Sequence, residues 1–197
     1  EREMPLDVTL LLDASASRME MQEQLAAEVW ILAEALKNCH VPAAVWNFRS
    51  LRGYTVLEKM KDFSERDCAH LFHFYAAGWN RDGLGLRLAA EELLHGDRKH
   101  ILIVLTDASP DDSTRLSACE KYPFGAAYEG RPAVDDAAAA IAEMRAQGIL
   151  VYGLFLGRTE NLGNLSLLYG HHQVRIHDIG QLARAAGEIF TKAVEEL

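Results

Sequence analysis

The sequence predicts an α/β fold of three layers, a Rossmann-like arrangement in which helices cover both faces of a mostly parallel sheet. We expect about six strands, one of them an antiparallel edge strand. Two short apolar runs, at 8–12 and 101–105, lack alternation and are typical of strands that are buried on both faces. Amphipathic segments separate the predicted strands, as the crossovers of a parallel sheet require. No repeat or low-complexity segment divides the chain, so we expect a single domain over residues 1–197.

The first half of the chain alternates between strand and helix patterns. Strands are predicted at 8–12, 41–48 and 53–60, and helices at 19–37, 64–76 and 84–94. Apolar residues at three- or four-residue intervals, such as Leu25 and Val29, predict the first helix. Ser64 followed by Asp67 is close to a capping box and predicts the start of the second helix. Alternating polar and apolar residues place the 53–60 strand at the sheet edge.

The second half continues this alternation around one long irregular segment. Strands are predicted at 101–105, 149–156 and 174–177, and helices at 134–147, 162–169 and about 182–194. Residues 108–131 are polar, contain glycine and proline, and show no periodicity. Such a segment predicts a long loop of the kind that carries function.

Composition is that of an ordinary globular domain. Hydrophobic residues make up 49% of the 197 residues and charged residues 25%. No segment approaches the roughly 18–20 uninterrupted apolar residues that a membrane span needs. The opening residues 1–5 carry no export signal, and the first is not Met. We therefore expect a domain excised from the C-terminal part of a longer protein, with no membrane partner.

Charge and cysteine content narrow the partners and the compartment. The chain has 20 Lys and Arg against 29 Asp and Glu, a net charge of −9, which argues against a nucleic-acid partner because nucleic acid calls for a basic face. Cys39, Cys68 and Cys119 are odd in number, far apart and form no CxxC pair, which indicates neither a disulfide framework nor a zinc site. We expect a reducing compartment, the cytoplasm.

Two apolar strands end in a carboxylate. Asp13 follows the 8–12 strand, and Asp107 follows the 101–105 strand after one Thr. Ligands of open α/β sheets bind beyond the carboxyl ends of strands, where two neighbouring strands bring such side chains together. Ser15 and Ser17 follow Asp13 at alternate positions and add two hydroxyl groups. Carboxylates and hydroxyls are hard oxygen donors, suited to Mg²⁺, Mn²⁺ or Ca²⁺.

These residues resemble the metal-ion-dependent adhesion site of the von Willebrand factor A (vWA) family, and the resemblance covers residues 8–193. The family's first loop carries Asp-x-Ser-x-Ser, matched by Asp13, Ser15 and Ser17. Its third loop carries an Asp in a Thr-Asp-Gly-x-Pro context, matched by Asp107. The resemblance implies the vWA fold, a divalent cation (Mg²⁺, or Mn²⁺ or Ca²⁺) and a protein partner whose Asp or Glu completes the coordination. In the family the serines contact the metal directly, whereas the aspartates often act through water.

The second metal loop departs from the family pattern. Many members place a Thr where this chain has Asn80, and Asp82 lies two residues later. Asn80 offers a neutral amide oxygen and Asp82 a charge, and which of them is the ligand stays open because Asp followed by Gly is also a turn signal. Ala16 stands in place of the usual Gly between the serines, and Arg18 where Met is common. The Arg18 cation would compete with a metal for the carboxylates.

Further segments resemble a bacterial subgroup of the family. Residues 80–83 and 152–157 are similar to vWA domains of nitric-oxide-reductase activation proteins and of a cobaltochelatase subunit. That subgroup works beside MoxR-type AAA+ ATPases, which implies an adaptor in metal or cofactor insertion. We expect Arg18, Trp79 and Ser109 on the rim where the partner binds. For Trp79, packing beneath the loop is an equally open alternative.

Other interpretations rest on the same residues. Ser15 or Ser17 could merely cap the following helix. A dehalogenase-type phosphotransferase needs a second Asp where Ser15 stands, and the sequence contains neither a glycine-rich nucleotide loop nor a Gly-x-Ser-x-Gly elbow. We therefore expect no enzyme. A metal-free interaction module and an extracellular adhesion domain are the alternative functions.

Overall fold

The computed structural model describes residues 6–94 and 98–196. The larger sheet contains β1 (Leu6–Asp13), β2 (Ala43–Leu51), β3 (Tyr54–Lys61), β4 (Lys99–Thr106), β7 (Leu150–Phe155) and β8 (Gln173–Arg175). A separate two-stranded sheet contains β5 (Asp112–Leu116) and β6 (Ala126–Tyr128). The α-helices are α1 (Gln22–Asn38), α2 (Asp82–Leu93), α3 (Gly130–Ala146), α4 (Leu162–Tyr169) and α5 (Leu182–Glu195).

The strand order of the larger sheet, β3-β2-β1-β4-β7-β8, puts β1 near its centre. Every neighbouring pair is parallel except β2 and β3, so β3 is the antiparallel edge strand. All residues of β1 are buried, because a central parallel strand is covered on both faces. The predicted six-stranded, mostly parallel sheet with one antiparallel edge is confirmed.

Helices pack on both faces of this sheet. Successive side chains of a strand point to opposite faces. Leu10 of β1 therefore packs with residues of α1 and α5, whereas Leu11 packs with residues of α2, α3 and α4. Between these two apolar layers, β1 and β4 pair as parallel neighbours. The loops that follow the two strands therefore lie next to each other.

The helix predicted over 64–76 is wrong. Within that segment the helical residues are Ala69–His73, and they form a short 3₁₀ turn. The side chain of Asp67 accepts a hydrogen bond from the N–H of Ala69 at 2.9 Å. Acidic side chains that bond the backbone just ahead of them compete with helix formation. Ser64 consequently lies in a turn rather than capping an α-helix.

The segment 108–131, predicted as irregular, contains the β5–β6 hairpin and the start of α3. Arg81 holds the hairpin against the loop that precedes α2, since it donates to the carbonyl oxygen of Thr114 at 2.7 Å and lies over the ring of Tyr128 at 4.3 Å. Strands this short leave no periodic signal in the sequence. α3 begins at Gly130, ahead of the predicted residue 134.

Within the described ranges 6–94 and 98–196, no helix has the length and apolar character that crossing a bilayer requires.

Candidate metal centre

The first loop of the site begins where β1 ends. Asp13 is the last residue of β1, and its Oδ1 accepts a hydrogen bond from the N–H of Ser15 at 2.9 Å. The hydroxyl groups of Ser15 and Ser17 lie 3.0 Å apart, so the two side chains point to one place. Ser15 makes no side-chain hydrogen bond that caps the 3₁₀ helix Ala16–Met21. The two hydroxyl groups of the first loop therefore lie together, and the backbone of Ser15 bonds the Asp13 carboxylate, whereas the capping alternative for Ser15 has no support.

The third loop follows β4, the neighbour of β1. The carboxylate of Asp107 accepts a hydrogen bond from the N–H of Ser109 at 3.0 Å, an arrangement like that of the first loop. Between them Ala108 adopts φ +54°, in the left-handed region that favours glycine. The vWA pattern has Gly at this position. Ala108 is held there because its N–H donates to the hydroxyl oxygen of Thr106 at 2.9 Å.

Two asparagines that the sequence reasoning missed support the third loop from behind. Asn161 donates from Nδ2 to the carbonyl oxygen of Asp107, and Asn164 to that of Ala108, each at 3.0 Å. Gly157 passes so close that a β-carbon there would lie 2.9 Å from the Cα and Cβ atoms of Asp107. These residues follow β7, which pairs with β4, so only the strand order reveals their role.

Backbone pairing joins the second loop to the other two. The N–H of Ala16 donates to the carbonyl oxygen of Gly78 at 3.1 Å, which ties the loop to the first. Asn80 and Asp111 exchange backbone hydrogen bonds at 2.9 and 3.1 Å, which tie it to the third. The side chain of Asn80 also donates to the carbonyl oxygen of Ser109 at 3.3 Å. All three loops therefore form one hydrogen-bonded unit.

Asn80 and Asp82 are both buried in this unit. Asn80 is 6% exposed and Asp82, the first residue of α2, is 4% exposed. Both second-loop candidates, Asn80 and Asp82, therefore lie in the same hydrogen-bonded unit, and the alternative between them stays open. The N–H of Gly83 donates to the hydroxyl oxygen of Tyr128 at 3.0 Å, which fixes the start of α2 beneath the site.

Burial raises the pKa of two carboxyl groups at the site, those of Asp82 and Asp13. Burial, reinforced by the charges of Asp13 and Asp107, raises the pKa of Asp82 well above its usual range. Burial also raises the pKa of Asp13; the positive charge of Arg18 opposes that shift, and Asp107 adds to it. The anions share a site in which they repel one another unless a positive charge lies between them.

Two buried carboxylate oxygens at the site have no hydrogen-bond partner among the described residues. They are Oδ2 of Asp13 and Oδ1 of Asp82. An unpaired buried carboxylate oxygen is costly, so such atoms normally face a cation, a donor or water. Hard oxygen atoms of this kind fit Mg²⁺, Mn²⁺ or Ca²⁺. No group of three His, Cys, Asp or Glu side chains in 6–94 and 98–196 could hold a metal by itself, so Ser and Asn oxygens would have to complete the coordination.

Arg18 lies beneath the site rather than on its rim, and the expectation that it faces the partner is wrong. The residue is 2% exposed. Its Nη1 donates to the carbonyl oxygen of Leu156 at 2.9 Å, and its Nε lies 3.7 Å from Oδ2 of Asp13. That distance allows electrostatic attraction without a hydrogen bond, and Nε and Nη2 have no hydrogen-bond partner among the described residues.

Trp79 and Ser109, two of the residues predicted on the rim, are exposed. The side chain of Trp79 is 45% exposed, so the alternative in which it packs beneath the loop is wrong. Ser109 is exposed as well. Met19, which the sequence reasoning left out of the rim, is 52% exposed in the 3₁₀ helix that follows Ser17. Exposed side chains therefore lie within two residues, along the chain, of Ser17, Asn80 and Asp107.

Solved structures share this fold. The vWF domain of the type V pili tip protein Mfa5 from Porphyromonas gingivalis is 12% identical, with a TM-score of 0.68, and the match covers 99% of this chain and 97% of that one. Proximal thread matrix protein 1 from the mussel byssus, in a structure with a zinc-occupied MIDAS motif, is 15% identical, with a TM-score of 0.62; the match covers 96% of this chain and 48% of that one. The chain therefore has the vWA fold, as the resemblance implied.

A curated relative points to the same bacterial subgroup. The chain is 29% identical over 171 residues to Protein NorD of Brucella suis biovar 1 (strain 1330), a match that covers 84% of this chain and 25% of that protein. No family model matches the chain. The predicted resemblance to the vWA domains of nitric-oxide-reductase activation proteins is confirmed. The chain spans about a quarter of the length of the curated relatives that it matches, and neither NorD nor the two structural neighbours bear the name of an enzyme.

Proposed function

We propose that this domain binds one divalent cation, Mg²⁺ or else Mn²⁺ or Ca²⁺, and uses it to bind a protein partner. The ligands are the oxygen atoms of six residues: Asp13, Ser15, Ser17, Asn80, Asp82 and Asp107. The observation that carries the proposal is the pair of buried, unpartnered oxygens, Oδ2 of Asp13 and Oδ1 of Asp82, on two carboxyl groups whose pKa is raised by burial. The zinc-occupied MIDAS motif of the mussel protein, which has the same fold, supports it.

Backbone hydrogen bonds orient two of the proposed ligands, Asp13 and Asp107, before a cation binds. N–H groups of Ser15 and Ser109 orient the carboxylates of Asp13 and Asp107, so neither side chain has to be reorganised when the cation arrives. The 3.0 Å contact between the hydroxyl groups of Ser15 and Ser17 orients both toward the same point. When bound, the cation supplies a Lewis-acidic position at the surface that accepts a carboxylate oxygen from outside the chain.

The partner is a protein that offers an Asp or Glu to this position, and we propose that it is a MoxR-type AAA+ ATPase or the target of one. The similarity to Protein NorD supports an adaptor role in cofactor insertion or complex maturation in the cytoplasm. Trp79 and Ser109 are exposed and follow or precede proposed ligands closely in the chain, and an exposed aromatic side chain can serve as an interface anchor. The net charge of −9 gives no support to a nucleic-acid partner.

A carboxylate probe tests the open coordination position without the natural partner. Protein-bound Mn²⁺ speeds the relaxation of water protons through its exchangeable water ligand. A short peptide with one Glu, added to the Mn²⁺-loaded domain, is expected to displace that water and lower the relaxation rate, while the same peptide with Gln leaves it unchanged. Equal effects of the Glu and Gln peptides would contradict the proposal.

A metal-free interaction module is the second candidate, and the position of Arg18 favours it. The guanidinium already places a fixed positive charge 3.7 Å from Asp13, where a cation would otherwise be required. In that case the carboxylates serve only to hold the three loops together. Binding of the partner would then be the same with Mg²⁺ and with a chelator, and Asp13→Ala would leave it unchanged.

A further inference from the structure

A polar cavity lies at the opposite end of the larger sheet from the candidate metal centre. Its volume is about 490 Å³, and it opens between the end of α1, the start of β2 and the end of β3. Three cationic side chains line it, those of Lys37, Lys61 and Arg66, together with the imidazole of His40. Glu65 is its one acidic lining residue. The lining is therefore predominantly positive in a chain whose net charge is −9.

A β-bulge places Lys61 inside this cavity. Along the β2–β3 pair, Val45 lies opposite Lys61 and Trp46 opposite Lys59, so β3 has one extra residue, Met60, between them. A bulge changes the direction in which the following side chain points. Met60 and Lys61 are consequently both buried, at 5% and 3% exposure, although neighbours in a regular strand point to opposite faces.

No carboxylate neutralises the buried ammonium of Lys61. Its Nζ donates to the carbonyl oxygens of Ala43 at 2.6 Å and Asp62 at 3.1 Å, and among the described residues it forms no ion pair. An ammonium has three N–H donors, so one remains for a ligand. Burial lowers the pKa of Lys61, and the negative charges of Glu65 and Asp62, neither of which forms an ion pair with it, oppose that shift. A buried ammonium with one N–H donor still available is suited to binding an anion.

The carboxylates near Lys61 bond backbone groups rather than its ammonium. Oδ1 of Asp62 accepts a hydrogen bond from the N–H of Phe63 at 2.7 Å. Oε2 of Glu65 accepts the N–H of Asp62 at 2.9 Å, so that carboxylate is turned to the backbone. The amine of Lys37 is paired with Glu34 and also donates to the carbonyl oxygen of Arg66 at 3.3 Å. The thiol of Cys68 is buried nearby, and burial raises its pKa, which keeps it neutral. The guanidinium of Arg66 makes no hydrogen bond or ion pair within 6–94 and 98–196.

We infer that this cavity binds a phosphate-type oxyanion, with Lys61 as the buried anchor and Arg66 at the mouth. A tetrahedral oxyanion accepts charge-assisted hydrogen bonds from an ammonium and a guanidinium at the same time. The ligand is either inorganic phosphate or the phosphate group of a small metabolite. The site is independent of the proposed metal function, because no residue is shared and the two lie at opposite ends of the sheet.

Titration of the metal-free chain with inorganic phosphate tests the inference. We expect saturable amide chemical-shift changes in ¹⁵N spectra at His40, Ala43 and Phe63, recorded in the presence of a chelator and at constant ionic strength set with chloride. Lys61→Met is expected to weaken phosphate binding about tenfold or more, because a charge-assisted hydrogen bond is lost. Lys59→Met is the matched control, since Lys59 lies on the same strand but is exposed and paired with Glu92.

A second variant covers the case in which Lys61→Met fails to fold. Arg66→Ser changes an exposed side chain and is expected to weaken phosphate binding by a smaller factor while leaving the fold intact. Phosphorylated metabolites added in parallel distinguish their phosphate group from the free ion, because a tighter apparent affinity indicates contacts beyond the phosphate. The inference is overturned by shifts that do not saturate, by chloride producing the same shifts, or by Lys59→Met weakening binding as much as Lys61→Met.

Discussion

The guanidinium of Arg18 lies 3.7 Å from the carboxylate of Asp13, and both side chains are almost completely buried. Arg18 is fastened in this position by the carbonyl oxygen of Leu156, which follows β7. A fixed cation therefore sits beneath the point at which we propose that a metal binds. It attracts the carboxylate that a divalent cation needs, and it repels the cation itself.

Removal of this charge is expected to tighten metal binding. Arg18→Met keeps much of the aliphatic volume and removes the positive charge, and at such short range the loss of repulsion is worth about tenfold or more in affinity. Calorimetric titration of the metal-stripped variant with Mg²⁺ measures the change. Arg158→Met is the matched control, because Arg158 is exposed and pairs only with Glu160 among the described residues. Unchanged or weaker Mg²⁺ binding by Arg18→Met would show that Arg18 does not compete with the metal.

The pKa of Asp82 leads to a prediction on stability without metal. This pKa is raised well above the ordinary 3.8. A carboxyl group that holds its proton more tightly in the native than in the unfolded chain stabilises the native chain at low pH, and that contribution is lost as the pH rises through the native pKa. The contribution of Asp82 to the free energy of unfolding of the metal-stripped chain is therefore expected to fall as the pH rises above 3.8.

Asp82→Asn is expected to weaken this pH dependence and to raise the unfolding temperature near neutral pH, because a buried, repelled charge is removed. Thermal unfolding in the presence of a chelator, across a pH series, measures both effects. Asp67→Asn serves as the control, since Asp67 is exposed. If wild type and Asp82→Asn show the same pH profile, Asp82 is not the destabilising group.

The close approach of Gly157 to the third loop gives a steric prediction. A methyl group there would lie 2.9 Å from the Cα and Cβ atoms of Asp107, so Gly157→Ala is expected to displace the loop. We expect a loss of about 1–3 kcal/mol in the free energy of unfolding and weaker metal binding. Gly163→Ala is the control, because nothing lies within 4 Å of the added carbon. Unfolding and metal titrations that do not distinguish the two variants would rule out the contact.

The backbone of Ala108 gives a prediction of opposite sign. Its φ of +54° is unfavourable for any residue with a β-carbon. Ala108→Gly is expected to raise the free energy of unfolding by up to about 1 kcal/mol and to leave metal affinity unchanged. The same change at Ala140, within α3, is expected to lower it by roughly 0.5–1 kcal/mol. Chemical denaturation of both variants supplies the comparison, and destabilisation by both would be inconsistent with this account.

The first and third loops of the candidate site could be predicted from the sequence, because their residues come directly after apolar strands. Asp13 and Asp107 terminate runs whose burial is evident, and parallel neighbours bring their ends together. The place of Arg18 could not be predicted, since its hydrogen bond reaches a carbonyl group 138 residues away. Asn161 and Asn164 were missed for the same reason: they lie beside the third loop only because β7 pairs with β4.

The errors in secondary structure have a related cause. Ser64 and Asp67 form a local pattern that resembles a helix start, but the Asp67 side chain bonds the N–H of Ala69 and favours a turn. The β5–β6 hairpin depends on contacts with Arg81 from a distant segment. Local patterns predict elements that have their own periodicity; tertiary hydrogen bonds decide the remaining ones.

The central claim, that these three loops bind a divalent cation, is tested most directly by calorimetric titration of the metal-stripped chain with Mg²⁺ and Mn²⁺. The wild type is expected to bind one cation per chain in a saturable manner, Asp13→Ala to abolish that binding, and Asp67→Asn to leave it intact, because Asp67 lies outside the three loops. Absence of saturable heat at millimolar metal, or binding by Asp13→Ala equal to that of the wild type, would contradict the account.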